Sequence, residues 1–259
     1  MLRRRRRLIA RIALAIALLL VALVAVGAWW LLTPLPPDER ALSALASDDI
    51  VAVDESPELI EFSPVGEHSR VGIVFYPGAR VDPRAYAPLA RTIAERGYLV
   101  VVVHMPYNLA VLGSDRATGV MNAHPEIASW VIGGHSLGGA MAARFAGQHP
   151  VQISGLALLA AYPPGSTDLS DGDMPVVSVY GTFDGILNAD AFTDAMSRLP
   201  KDTTYVSVEG GNHAGFGDYG HQPGDNDATV STEEQQEATL RAVGLIVLPL
   251  RIRTGGTQP

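Results

Sequence analysis

The sequence predicts an α/β fold, a mostly parallel central sheet with helices on both faces, preceded by one membrane-spanning helix. Three observations carry that expectation. Apolar runs of strand length alternate with stretches of helical periodicity from about residue 70 to 250. One run, Trp130-Val131-Ile132, turns directly into a helical pattern through Gly134-His135-Ser136-Leu137-Gly138. Residues 12–32 contain no charge over 21 positions.

The N-terminal stretch comes first. Residues 1–11 hold six arginines, Arg3 to Arg7 and Arg11. The 21 apolar residues that follow would extend about 31 Å as a helix, enough to cross a hydrocarbon core of about 30 Å. Trp29 and Trp30 stand where an interfacial aromatic belt belongs, and the arginines predict a cytoplasmic N-terminus with the remainder outside. A secretory signal, cleaved to release the domain, has the same order of basic and apolar regions. It is the alternative, although its apolar core is usually only about 7 to 15 residues. Residues 33–49, opening Thr33-Pro34-Leu35-Pro36-Pro37, read as a linker, and 50–259 as the catalytic domain.

Within that domain, 50–53 and 59–62 read as antiparallel edge strands. A central strand (70–76), a helix opened by Asp82-Pro83 and ending at Gly97, and a second strand (98–104) form a right-handed βαβ unit. A helix over about 108–124, interrupted by Gly113 and Gly119, precedes the elbow. Strands follow at 153–161, 174–180 and 203–208, with a helix over 189–199. Ser231-Thr232-Glu233-Glu234 is a capping box opening a helix to about residue 247.

A strand turning straight into a helix strains the residue at the corner and excludes side chains from the positions beside it. Ser136 occupies that corner. In an open parallel sheet ligands bind at the carboxyl ends of the strands, and two more reactive side chains fall there. Asp184 follows the strand 174–180, and His213 follows 203–208 within Gly210-Gly211-Asn212-His213. A serine hydroxyl needs a base, imidazole titrates near neutrality, and a carboxylate can fix the imidazole tautomer. A turn or helix-capping role, as for Asp190, is the alternative for Asp184. The backbone N–H groups of Leu137 and Ala79 are the expected oxyanion donors, with Gly78 allowing close approach. Gly78 and His104 are candidates for the substrate pocket; His135, beside the serine but pointing the other way, reads as structural, with the pocket as its alternative.

The order Ser, Asp, His, together with F-Y-P-G-A-R-V-D-P-R-A-Y, G-G-H-S-L-G-G-A-M-A and G-G-N-H-A-G-F-G-D-Y-G, resembles the α/β-hydrolase superfamily. Within it the chain looks like the small bacterial branch related to dienelactone hydrolases, with serine in place of cysteine. The likeness covers about residues 71–250. It implies a carboxylesterase-like serine hydrolase working through an acyl-enzyme on a small acyl ester. An envelope acyltransferase using the same triad, or a catalytically silent binding module, are the alternatives. Many members insert a lid domain after the strand that follows the elbow. Residues 162–173 are too few for one, which implies an open pocket.

Composition excludes other classes. The chain has no cysteine, hence no disulfide, thiol nucleophile or Cys-bound metal. All 27 acids lie from Asp38 onward against 13 bases, a net charge of −14 beyond the N-terminus, which disfavours a nucleic-acid partner. The acidic stretch 217–227 lacks the spacing of a calcium loop, and neither metal nor cofactor is expected. Nothing in the sequence points to an oligomeric state.

Overall fold

The computed structural model describes residues 2–255 and divides into two compact units, Met1–Pro34 and Leu35–Pro259. The first is helix α1 (Leu2–Leu32), in which Arg4–Trp30 is long and apolar enough to cross a membrane. Residues 35–49, expected as linker, fold with the second unit. There Leu35 forms a bridge with Val81, and Asp38 caps the short helix α2 (Glu39–Ser43).

The second unit is built on one eight-stranded sheet: β1 (Val51–Glu55), β2 (Leu59–Pro64), β3 (Val71–Tyr76), β4 (Leu99–Val103), β5 (Ser129–His135), β6 (Ile153–Leu159), β7 (Val176–Gly181) and β8 (Thr204–Val208). Their order is β1-β2-β4-β3-β5-β6-β7-β8. β1 and β2 pair antiparallel, as does β2 with β4; every later pairing is parallel. Only β1 is an edge among the first two, because β2 is covered by β4.

Burial on both faces explains the unbroken apolar runs. Ile73 and Phe75 of β3 enter one core layer with α3 (Ala87–Ala94) and α7 (Thr232–Arg253). Val74 and Tyr76 face the other layer, with α4 (Arg116–Ala123) and α5 (Leu137–Gln148). Helices therefore cover both faces, as expected. α6 (Ala189–Met196) lies between β7 and β8 in sequence, and residues 160–175 join β6 to β7 without a helix, so no lid is inserted there.

Three elements differ from expectation. The helix expected over 108–124 forms only as α4, after short 3₁₀ turns at Pro106–Asn108 and Ala110–Leu112. Gly113 sits so close to Pro106 that a Cβ would lie 2.8 Å from its Cδ, and the chain bends there. The helix expected from Asp82 to Gly97 begins as a 3₁₀ turn, Pro83–Tyr86, because Pro88 fits only a helix's first turn. α7 continues past residue 247 and through Pro249, where burial of Leu250 and the bond from Arg251 to the carbonyl of Arg96 hold the last turn despite the missing N–H.

Candidate active site

Ser136 stands where β5 becomes α5, with φ 53° and ψ −123°, a conformation strained for any residue with a side chain. The neighbours show why glycine flanks it. A Cβ on Gly134 would lie 2.6 Å from the carbonyl carbon of Gly138, and one on Gly138 would lie 2.1 Å from the carbonyl oxygen of Tyr76. Those contacts are with backbone and cannot relax cheaply. They also press the first turn of α5 against the end of β3, bringing the elbow beside the Pro77-Gly78-Ala79 turn.

Asp184 and His213 meet, although 29 positions apart: His213 Nδ1 lies 2.8 Å from Asp184 Oδ2, and both side chains are 2 % exposed. The other carboxylate oxygen, Oδ1, accepts the N–H groups of Ile186 and Leu187 at 2.8 and 2.7 Å. One oxygen thus serves the loop and the other the imidazole. An ionised carboxylate facing Nδ1 requires a proton there, which leaves Nε2 as the basic nitrogen. Nε2 is buried without a hydrogen-bond partner among the described residues.

Ser136, Leu137 and His213 line one cavity of about 360 Å³, whose walls include Met141, Tyr162, Ile186 and Leu187. Every contributing segment lies at or just after the carboxyl end of a strand: β5, β6, β7 and β8. The structure thus brings together three sequence-predicted residues and one expected donor. Leu137 N–H, in the first turn of α5, has no helical acceptor within reach, as at any helix start. Ala79 is half-buried in the turn after β3 and is not among the residues lining this cavity.

Gly78, His104 and His135 do not line it either. Gly78 and His135 belong to a buried brace behind the site. Gly78 N–H donates to Tyr86 Oη at 2.9 Å, and Tyr86 Oη lies 2.9 Å from His135 Nδ1. That hydroxyl thus links the backbone of the Gly78 turn to the His135 ring. The His135 ring lies 4.6 Å from that of His213, and burial, reinforced by that neighbour, holds it well below the ordinary imidazole range. His104 stands at the end of β4 on the far side of β3, half-buried. Its N–H bonds Glu58, and burial lowers its basicity.

Three supporting residues were missed by sequence reasoning. Gln235 of α7, fully buried, clamps the histidine loop by accepting Asn212 N–H and donating to the Asn212 carbonyl. Asp225 joins the loops that bear Asp184 and His213, accepting Gly185 N–H at 2.9 Å and Ala214 N–H at 2.8 Å. Tyr86 forms the brace. Asp218, in the same acidic stretch as Asp225, is buried against Arg40 and Gln236. These acids hold the fold together.

The model of the alpha/beta hydrolase family matches residues 72–237. The chain belongs to the alpha/beta hydrolase family. Among curated proteins, this alpha/beta hydrolase is 34% identical over 104 residues to NocK of Nocardia uniformis subsp. tsuyamanensis, an esterase by name. That match takes in 37% of this chain and 29% of NocK, so the chain spans under a third of that relative's length. Among solved structures, a CIB-like hydrolase of Thermoplasma acidophilum superposes with a TM-score of 0.59 at 15% identity, covering 76% of this chain and 99% of that one. An α/β serine hydrolase without lid from Xanthomonas campestris gives 0.53 at 16% identity, covering 82% and 98%. At such identities these likenesses speak for the hydrolase fold alone.

Proposed function

We propose that this alpha/beta hydrolase is a membrane-anchored carboxylesterase acting through Ser136, His213 and Asp184. The observation that carries the reading is the buried Asp184–His213 pair, whose imidazole shares a cavity with the strained Ser136. Ser136 Oγ attacks the acyl carbonyl while His213 Nε2 takes its proton, and Asp184 steadies the imidazolium. The N–H groups of Leu137 and Ala79 receive the developing oxyanion. Collapse breaks the ester C–O bond, the alcohol leaves with the proton from His213, and water repeats the sequence to release the acid. The lidless cavity and the esterase name of NocK favour a small acyl ester.

α1 supplies the anchor, its arginines on the cytoplasmic side and the hydrolase domain outside. Fluorophosphonate labelling of the full chain tests the chemistry. Wild type forms one adduct, and Ser136→Ala forms none. No adduct on wild type, or an undiminished one on the variant, refutes the assignment. Retention in the membrane after alkaline carbonate washing tests the anchor.

A further inference from the structure

We infer that residues 105–114, the uncharged stretch between β4 and α4, form a bilayer-contact surface, and that the site on the same sheet edge works on acyl esters carried in the lipid phase. The inference rests on the proposed anchoring and esterase chemistry and names the substrate class of that same site.

The covalent path supplies the first argument. Leu35, the first residue of the second unit, is pinned to the turn after β3: Leu35 N–H bonds the Arg80 carbonyl at 2.6 Å and its carbonyl accepts Asp82 N–H at 3.0 Å. Two residues, Thr33 and Pro34, separate Leu32, the last of α1, from Leu35, a span of three Cα steps. Fully extended they reach about 10 Å. The tether therefore attaches at the rim that carries the Gly78-Ala79 turn, the carboxyl edge of the sheet where Ser136 and His213 lie.

The loop itself supplies the second. Residues 105–114, Met-Pro-Tyr-Asn-Leu-Ala-Val-Leu-Gly-Ser, contain no charge in a unit of strongly acidic balance. Tyr107, Val111 and Leu112 are 57 %, 48 % and 55 % exposed. Their exposure is imposed by a fixed loop. Arg80 N–H bonds the Asn108 carbonyl at 2.8 Å, Tyr76 Oη donates to the Ser114 carbonyl at 2.6 Å, and Ala110 is fully buried beneath. A tyrosine beside two aliphatic side chains, with no charge among them, suits the boundary between headgroups and acyl chains. β4, β3 and β5 are adjacent strands, so the loop is about 10 Å across the sheet from the elbow. The loop and the cavity thus share the carboxyl edge of the sheet, and an ester held in lipid at the loop is the substrate this surface would supply.

The absence of native cysteine makes the test clean. Full-length Leu112→Cys carrying an environment-sensitive fluorophore is reconstituted in phosphatidylethanolamine–phosphatidylglycerol vesicles. Val151→Cys is the comparison, a site 96 % exposed between α5 and β6 at the opposite rim. The expected result is blue-shifted emission, quenched by doxyl-labelled lipid, at 112 and at neither condition at 151. A water-like label at 112 in vesicle-retained protein overturns this surface alone; protein washed off by carbonate overturns the anchor and this surface with it.

A second arm compares two esters with the Val111→Asp, Leu112→Asp double variant. Its turnover of a long-chain ester embedded in the vesicles falls at least about tenfold, the change expected from losing even one apolar side chain from lipid. Its turnover of dissolved p-nitrophenyl acetate is unchanged. Equal loss on both esters, or loss on neither, overturns the substrate assignment. Wild type inert toward both esters overturns the catalytic reading, and the fluorescence arm then decides the surface by itself.

Discussion

On the proposed triad, replacing Asp184 by asparagine should separate catalysis from folding. The carboxylate accepts three hydrogen bonds, two from the amides of Ile186 and Leu187 on Oδ1 and one from His213 on Oδ2. Asparagine has one accepting oxygen. The two loop amides are fixed donors and claim it, which leaves the side-chain NH2 facing His213 Nδ1. Two donors cannot face each other in a site 2 % exposed, so the imidazole shifts its proton to Nε2 and offers Nδ1 as acceptor. Nε2–H then points toward the cavity and cannot take the proton of Ser136. In a serine triad that tautomer lowers kcat by about 10⁴, equivalent to about 5.5 kcal/mol of barrier.

Stability should respond far less. Asp184→Asn keeps the bonds to Ile186 and Leu187 and should shift Tm by only a few degrees. Asp184→Ala strips both amides of their acceptor, each such loss costing about 1–3 kcal/mol. At about 2–4 °C per kcal/mol for a domain of this size, the alanine variant melts distinctly lower. The measurements are kcat on p-nitrophenyl acetate and Tm by circular dichroism for both variants. A kcat for Asp184→Asn within tenfold of wild type refutes the tautomer argument. Losses of kcat that merely track Tm across the two variants reduce Asp184 to a loop staple.

Other outcomes follow from the same geometry. Gly138→Ala places a Cβ against the carbonyls of Tyr76 and Pro77, 2.1 and 2.3 Å away; overpacking of about 1–3 kcal/mol should lower Tm, and displacement of the elbow should abolish fluorophosphonate labelling. Asp225→Ala releases Gly185 and Ala214 together, and kcat should fall at least about tenfold as the two catalytic loops loosen, measured beside Tm. His135 is held below the ordinary imidazole range by burial, so on acidification the unfolded chain takes up its proton first. Its contribution to stability is complete above about pH 6.5 and declines below that by up to about 1.4 kcal/mol per pH unit, until the folded-state value is reached. Denaturant melts from pH 7 to 5 should show a shallower decline for His135→Gln than for wild type; identical slopes would contradict the assignment.

The parts of this molecule legible in its sequence are those whose causes are local. The elbow needs only the glycines beside Ser136, and the loops bearing Asp184 and His213 announce themselves by following apolar strands. Ser231 with Glu234 declares the start of α7, and both capping-box bonds form. What was hidden depends on elements that meet only after the sheet is assembled. Gln235 follows that capping box and resembles any polar helix residue, yet the packing of α7 over β7 and β8 turns it inward onto the His213 loop. Asp225 belongs to an acidic stretch whose composition hinted at a cation, but its two oxygens are spent on backbone amides of separate loops. Residues 33–37 read as a stiff linker because proline fixes φ, and 38–46 as a short helix beyond it, which forms as α2 (Glu39–Ser43). Leu35, before the two prolines, pairs with Val81, a partner that only the assembled turn after β3 supplies.

The strain at Ser136 ties these observations together. A side chain at φ 53° and ψ −123° costs on the order of 1–3 kcal/mol and persists only where its surroundings leave no alternative. Here β5 is hydrogen-bonded on both sides, to β3 and β6, and Ser136 N–H itself bonds the Leu159 carbonyl at 2.9 Å. On the other flank α5 buries Met141, Ala142 and Phe145 and cannot rotate. Relaxing the serine would require pulling the strand from two neighbours or lifting the helix from its core. Both cost more than the strain they would relieve, because each breaks several buried contacts at once. Ser136 is consequently held at the cavity before any substrate arrives, and the imidazole of His213, which lines the same cavity, is fixed just as firmly by Asp184, Gln235 and Asp225. On the proposed chemistry, a site held this firmly has no need of a lid to order it, which is consistent with the bare connection between β6 and β7.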